Sequence, residues 1–433
     1  MSRPAVTSPA VTAATQRRRR THPLVLTLRW LVLLVLIAVV VAATGIAFAP
    51  AGRVAGAPVA LPAAAGEPVA AAWPEGVARS AGFAIAGIDG SQETWGGTET
   101  MPMASLTKLI TVLTVLEAHP IAGDDRGAEI TLGRADINAL GAAIAEAAPT
   151  VAVYDGMVVH QRELIEWSLV PSAGNAMWSL ANWAFGSIDA YLAAANDWAA
   201  RHGLDETVVA DPSGLSLDSR STGADLVELG LLAVADPVVL TTIGMERVAV
   251  PGGSLGNTNG LLGDGFIDGG KTGTLRVWGR NLLVTAERDI EGEPRRAVAV
   301  IVGVVTQDDM NAAMLALVDS LWAGFSTSTL VPAGTVVAEY RAPWGSTVQA
   351  ATVADLTTDA FGSQVPQAGF QPSDPERFDL EVGAARREIG TVRAAGLGGE
   401  QSQVPVRTEG ILTGPDIGWR FAHPLDTLGW YFD

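Results

Sequence analysis

Apolar residues fall in three different patterns along this chain, and each predicts a different kind of element. The first is continuous: Trp30 to Phe48 runs without a charge, long enough to cross the hydrocarbon of a bilayer. Residues 49–75 then hold mostly Ala, Pro, Gly and Val, which reads as an extended linker. The second pattern mixes periods of two and 3.6. Gly82 to Ile88 and a polar return strand to residue 96 form a hairpin around Asp89-Gly90. From Ser105 to His119, apolar residues cover nearly the whole circumference of a helix, which places it in a core. Trp167–Phe185 and Ile188–His202 read as helices, and Ile267–Thr274 as a strand. A second hairpin pairs Asn281–Glu287 with Ala297–Val305, and a helix over Asp308–Phe325 closes this part. The third pattern begins at Val331, where short alternating runs such as Val336–Tyr340 and Phe378–Val382 predict a separate all-β module. No internal repeat interrupts this order.

Charge sharpens the picture at both ends. The 433 residues carry a net charge of −18, yet the first acidic residue is Glu67, and every basic residue before it is arginine. Arg17-Arg18-Arg19-Arg20 ahead of the apolar run predicts an arginine-rich cytoplasmic tail and a single-pass anchor, with the remainder outside. A cleaved signal peptide is the competing reading, since Ala47-Phe48-Ala49 resembles a cleavage site; the length of the apolar run favours the anchor. The acidic body argues against nucleic acid as a partner. With no cysteine in the chain, disulfides, thiolate metal sites and a cysteine nucleophile are excluded. Five scattered histidines without HExxH spacing make a zinc hydrolase a poor fit but leave a Ser-His-Asp enzyme open. No cofactor is implied.

Lysine usage points to the chemistry. Of 28 basic side chains only two are lysines, Lys108 and Lys271. Lys108 closes Ser105-Leu106-Thr107-Lys108 on the apolar helix. Residues three apart share a helix face, and burial lowers an ammonium pKa. A neutral Lys108 could therefore take the Ser105 proton and make it a nucleophile, a role guanidinium cannot fill. Lys271 opens Lys271-Thr272-Gly273 between glycines that would let a substrate backbone approach, and Lys271 with the Thr272 hydroxyl would hold a carboxylate. Either motif alone is common on protein surfaces; together in a lysine-starved chain they point to a site.

With these residues in view, the stretch from about Gly76 to Phe325 resembles the serine D-alanyl-D-alanine carboxypeptidases, the low-molecular-mass penicillin-binding proteins. Met103–Lys108 is similar to their nucleophile helix. Asp211-Pro212-Ser213-Gly214-Leu215, followed by Ser221-Thr222 and Asp225-Leu226, is similar to a structural signature of that family. Asn257-Thr258-Asn259 leading to Asp268–Thr274 is similar to their third motif. The resemblance implies an α+β fold of the DD-peptidase/β-lactamase type, an antiparallel sheet flanked by helices with a helical subdomain. It implies acyl transfer through Ser105 with Lys108 as base, and Ser172 relaying a proton. Lys271 and Thr272 would bind substrate, and the backbone N–H groups of Ser105 and Thr274 would form the oxyanion hole. Its implied partners are peptidoglycan stem peptides ending in D-Ala-D-Ala, and β-lactams. The expected layout is a basic tail (1–23), an anchor (24–48), a linker (49–75), a catalytic domain (76–326) and an all-β domain (327–433).

One position departs from the resemblance. The family's middle motif is S-x-N; here Ser172 is followed by Ala173 and Gly174, with Asn175 one residue late. Loss of one such hydrogen bond would cost about 1–3 kcal/mol, roughly one to two decades in rate. A working enzyme and a non-catalytic relative that binds wall peptides or partners both stay open, and a serine β-lactamase is a further alternative. Gly252-Gly253-Ser254-Leu255-Gly256 matches a nucleophile elbow, but its loop-like surroundings predict a structural Ser254.

Overall fold

The structure, a computed structural model, describes residue 1 and residues 23–432. The arginine cluster at 17–20 lies outside the described residues. Pro23–Ala47 forms one helix of 25 residues, about 37 Å long at the usual rise. Its side chains are almost all exposed, and it is long and apolar enough to cross a membrane.

A five-stranded antiparallel sheet organises the chain from Ser80 to Trp322. Its order is Ile267–Leu275, Gly279–Ile290, Glu293–Val304, Ser80–Ile85, Glu93–Gly96. The strand period of two sorts the Glu293–Val304 side chains onto two faces. Val298, Val300 and Val302 meet one core, while Ala297, Ala299 and Ile301 meet the other. Helix Gly223–Ala235 covers the first face so closely that a Cβ at Gly230 would sit 2.2 Å from Val298 Cγ1. Helix Gln307–Trp322 covers the second with Met310, Met314, Leu317, Val318 and Leu321. Fully burying each such side chain contributes about 1.5–3 kcal/mol. Five further helices, Thr107–Ala118, Arg134–Ala145, Gln161–Leu169, Gly174–Phe185 and Ile188–Arg201, build the helical part between the strands. The antiparallel sheet flanked by helices is the architecture expected from the sequence, and both hairpins are present.

The boundaries differ in informative places. The helix expected over Trp167–Phe185 is two helices, broken at 170–173 around Ser172. The Gln307–Trp322 helix ends before Phe325, which opens strand Phe325–Val331 paired with Leu356–Phe361. Residues expected as linker include strand Val54–Pro58, which is the sixth member of a seven-stranded C-terminal sheet. It pairs with Val336–Arg341 on one side and Asp379–Leu380 on the other. Gly56 permits this: a Cβ there would meet Phe378 at 2.6 Å and Tyr340 at 2.8 Å. The C-terminal part is also not all-β, since it ends in two short helices, Ile417–Ala422 and Pro424–Gly429. Asp416 caps the first through Trp419 N–H, and Pro424 starts the second. Both helices lie at the exit of the N-terminal helix, where Tyr431 Oη donates to Gly45 O at 3.0 Å and Arg420 Nη1 to Ala49 O at 2.6 Å.

Candidate active site

Three chain segments converge on Ser105. The first is its own. Ser105 lies in the turn Ala104–Leu106, and the core helix starts at Thr107. Ala104 has φ 52°, a left-handed conformation that costs a non-glycine residue about 1–3 kcal/mol. Packing holds it there: Asn281 Nδ2 donates to Pro102 O and Met103 O, and Thr107 Oγ1 donates to Ala104 O. The second segment is strand Ile267–Leu275, which passes hard against this turn. A Cβ at Gly273 would lie 3.0 Å from Met103 O and 3.1 Å from Ser105 N, so the glycine of the lysine triplet is there for close approach. The third is loop 211–216, where a Cβ at Gly214 would fall 1.8 Å from Ala104 O.

The two lysines end inside this junction. Lys108 is 2 % and Lys271 1 % exposed. Lys108 Nζ lies 2.6 Å from Ser105 Oγ and 2.8 Å from Ser213 O. Burial lowers its pKa to about 7, although the Asp211 charge works in the opposite direction. Lys271 Nζ donates to Ser172 Oγ at 3.0 Å and to Thr272 O at 2.9 Å. Its pKa is pushed well down, first by burial and then by the Lys108 charge. The Lys108 charge thus makes the neutral form of Lys271 easier to reach. Ser172 is buried and has φ 64°, the strained turn that breaks the helix and aims its hydroxyl at Lys271.

Of the six residues expected at the site, Ser105 is paired with Lys108 and Ser172 with Lys271, and Thr272 and Thr274 follow on the strand of Lys271. Thr272 Oγ1 shares a hydrogen bond with Thr258 Oγ1 at 2.6 Å, and Thr258 N–H donates to Val170 O. The Asn257–Asn259 approach therefore ties the lysine strand to the Ser172 turn. Asn175 does not replace the missing amide at 174. It is fully buried, and its Oδ1 and Nδ2 are both committed to the Val151 backbone, at 3.0 and 2.9 Å. Arg276 is exposed, and Arg280 reaches Gln307. Ser254 belongs to hairpin strand Gly253–Gly256 and bonds Arg247, so no strand-to-helix elbow exists there. The carboxylate of Asp211 and the Ser213 carbonyl are the participants that residue reading passed over. Their signal was the Asp211–Leu215 motif, noted only as a structural signature. A cavity of about 660 Å³ abuts this loop, walled by Trp178, Ala143, Leu215 and Asp211.

A serine hydroxyl against a buried lysine, with a second buried lysine on a sheet strand, is the arrangement of the serine–lysine acyl-transfer hydrolases. Comparison with known proteins narrows this class. Residues 96–306 match the peptidase S11 family, described as D-alanyl-D-alanine carboxypeptidase. The match covers just under half of the chain and supports a D-Ala-D-Ala carboxypeptidase of the low-molecular-mass penicillin-binding protein family. It is 27% identical to the carboxypeptidase DacD of Salmonella typhimurium over 301 residues, 67% of this chain and 74% of that protein. It is 29% identical to DacA of Escherichia coli over 204 residues, 46% of this chain and half of DacA. The fold matches penicillin binding protein 5 from Haemophilus influenzae with a TM-score of 0.54 at 22% identity, covering 78% of this chain and 98% of that one. It matches penicillin binding protein 6B from Escherichia coli with the same score at 20% identity, covering 78% and 95%.

Proposed function

We propose that this protein is a membrane-anchored serine D-Ala-D-Ala carboxypeptidase that removes the terminal D-alanine from peptidoglycan stem peptides. The observation that carries the reading is the fully buried Lys108 amine at 2.6 Å from Ser105 Oγ. Neutral Lys108 accepts the Ser105 proton as Oγ attacks the penultimate D-alanine carbonyl. The N–H groups of Ser105 and Thr274 stabilise the oxyanion. The proton passes by way of Ser172 to the leaving amine, and D-alanine departs, leaving an ester on Ser105. Water then attacks that ester and regenerates the serine. Lys271 and Thr272 hold the terminal carboxylate. A β-lactam amide would open at the same serine.

The anchor reading rests on the Pro23–Ala47 helix with its exposed apolar surface, and on the arginines that precede it in the sequence. It places the catalytic part outside the cell membrane. A second reading, a relative that binds wall peptides without cleaving them, is favoured by Gly174 together with the commitment of Asn175 to Val151. The test is D-alanine release from a synthetic peptide ending in D-Ala-D-Ala, using the full chain in detergent. The enzyme reading predicts one D-alanine per peptide and none from the same peptide ending in L-Ala. Binding of the peptide without release would establish the second reading.

A further inference from the structure

The S-x-N pattern would supply a side-chain amide at position 174 to help order the lysine base, and this chain has no side chain there. Lys108 is nevertheless held at two points. Its second partner is a main-chain carbonyl, Ser213 O, at 2.8 Å. That carbonyl belongs to a loop wound around one carboxylate. Asp211 Oδ1 accepts from Ser213 N–H and Gly214 N–H at 2.7 Å, from Ser213 Oγ at 2.8 Å and from Leu215 N–H at 3.3 Å. Asp211 Oδ2 accepts from Ser216 N–H at 2.8 Å and Ser219 Oγ at 3.3 Å. Outer contacts fix the loop further: Thr111 Oγ1 donates to Pro212 O at 2.8 Å, and Trp178 Nε1 to Ser213 Oγ at 3.3 Å.

From this geometry we infer that Asp211 is a positioning residue for the base. By folding loop 211–219 it sets the Ser213 carbonyl on Lys108 Nζ, giving the lysine the anchor that position 174 lacks. Asp211 touches neither Ser105 nor the lysine; it acts through the loop and through its charge. The inference rests on Lys108 being the base of the proposed reaction. Charged and titratable groups facing Lys108 from neighbouring elements are Lys271 on the sheet strand, Asp211 on the loop and Tyr191 on helix Ile188–Arg201. Tyr191 Oη shares a hydrogen bond with Thr111, and burial raises its pKa. Asp211 is thus the nearby negative charge among them, and removing it leaves Lys108 facing only Lys271 and a neutral phenol.

The test uses the small lysine count. The full chain labelled at lysine Cε with carbon-13 gives two side-chain signals, and Lys108→Arg assigns them. Titration follows Lys108 without any need for turnover, beside the penicillin acylation rate measured across pH. With Asp211→Asn the Lys108 midpoint should fall, the acid limb of acylation should move down with it, and the plateau rate should fall at least tenfold. Asp225→Asn removes another loop-holding carboxylate, bonded to Thr207 and Glu206 N–H; it should lower Tm and leave the midpoint in place. Ser213→Ala, a milder change, keeps the carbonyl and the Asp211 charge; it should reduce the plateau severalfold with the midpoint unmoved. An unchanged Lys108 midpoint in folded Asp211→Asn, or an unchanged plateau in Ser213→Ala, overturns the inference. A wild-type protein whose Lys108 shifts as expected but which takes no penicillin overturns the proposed reaction instead.

Discussion

The junction around Ser105 and the seven-stranded C-terminal sheet are both well packed, but they are built on opposite principles. The C-terminal part buries Val337, Ala338, Tyr340, Val348, Leu356, Leu380, Val392 and Val406 in one apolar cluster. The junction buries two lysines and an aspartate, and places Ala104 and Ser172 at positive φ. Each of these choices works against stability on its own. They persist because Asn281, Asp211 and the Thr258 bridge hold the surrounding backbone. One region is arranged to stay folded. The other holds an amine at a pKa where it can give up its proton.

Substitutions should separate these two designs, and the largest effect belongs to the junction. Lys108→Ala should reduce penicillin acylation by at least a thousandfold, on the scale of losing an activated nucleophile's base, while circular dichroism stays native; near-normal acylation would remove Lys108 from the mechanism. Next comes pH. Because burial brings Lys108 to about 7, acylation should rise as pH increases through 7 and fall roughly tenfold per unit below about 6. A rate flat from pH 5 to 9 would mean the lysine is not the base. Gly174→Asn restores the side-chain amide where the nearest atoms to a new Cβ are 3.8 Å away. It should raise peptide turnover about tenfold without moving the acid limb, since Lys108 is already anchored by Ser213; slower turnover would show that the glycine is needed. Smallest for catalysis is Leu356→Ala in the C-terminal part. It should cost about 2–5 kcal/mol of stability, read as a lower unfolding midpoint, with the acylation rate of the folded protein unchanged. A parallel loss of acylation would show that the two regions are energetically coupled.

The same contrast explains what could be read from the sequence. The apolar helix from Ser105 and both hairpins follow simple periods, so their place in the fold was legible. So were the two lysines, whose rarity drew attention to them. Strand Val54–Pro58 was not, because Val-Ala-Gly-Ala-Pro has no alternation, and its pairing is set by Tyr340 and Phe378 lying over Gly56. The terminal helices carried their signals, Asp416 and Pro424, but at six residues each they are too short for a period to show. Ser172 read as mid-helix although Pro171 just before it is a helix-breaking signal; what nothing local marks is the left-handed turn of the serine itself. Asp211 escaped a functional reading because it acts through the backbone of its neighbours. Which way Asn175 faces is likewise decided by Val151, twenty-four residues away.

The central claim is that Ser105, activated by Lys108, forms a covalent acyl-enzyme. Intact mass spectrometry of the full chain after incubation with benzylpenicillin measures this directly, with peptide mapping of the adduct and Ser105→Ala alongside. The account predicts one penicilloyl group per protein, mapped to Ser105 and absent from the variant. A folded wild-type protein that takes no adduct, or an adduct that survives in Ser105→Ala, would contradict it.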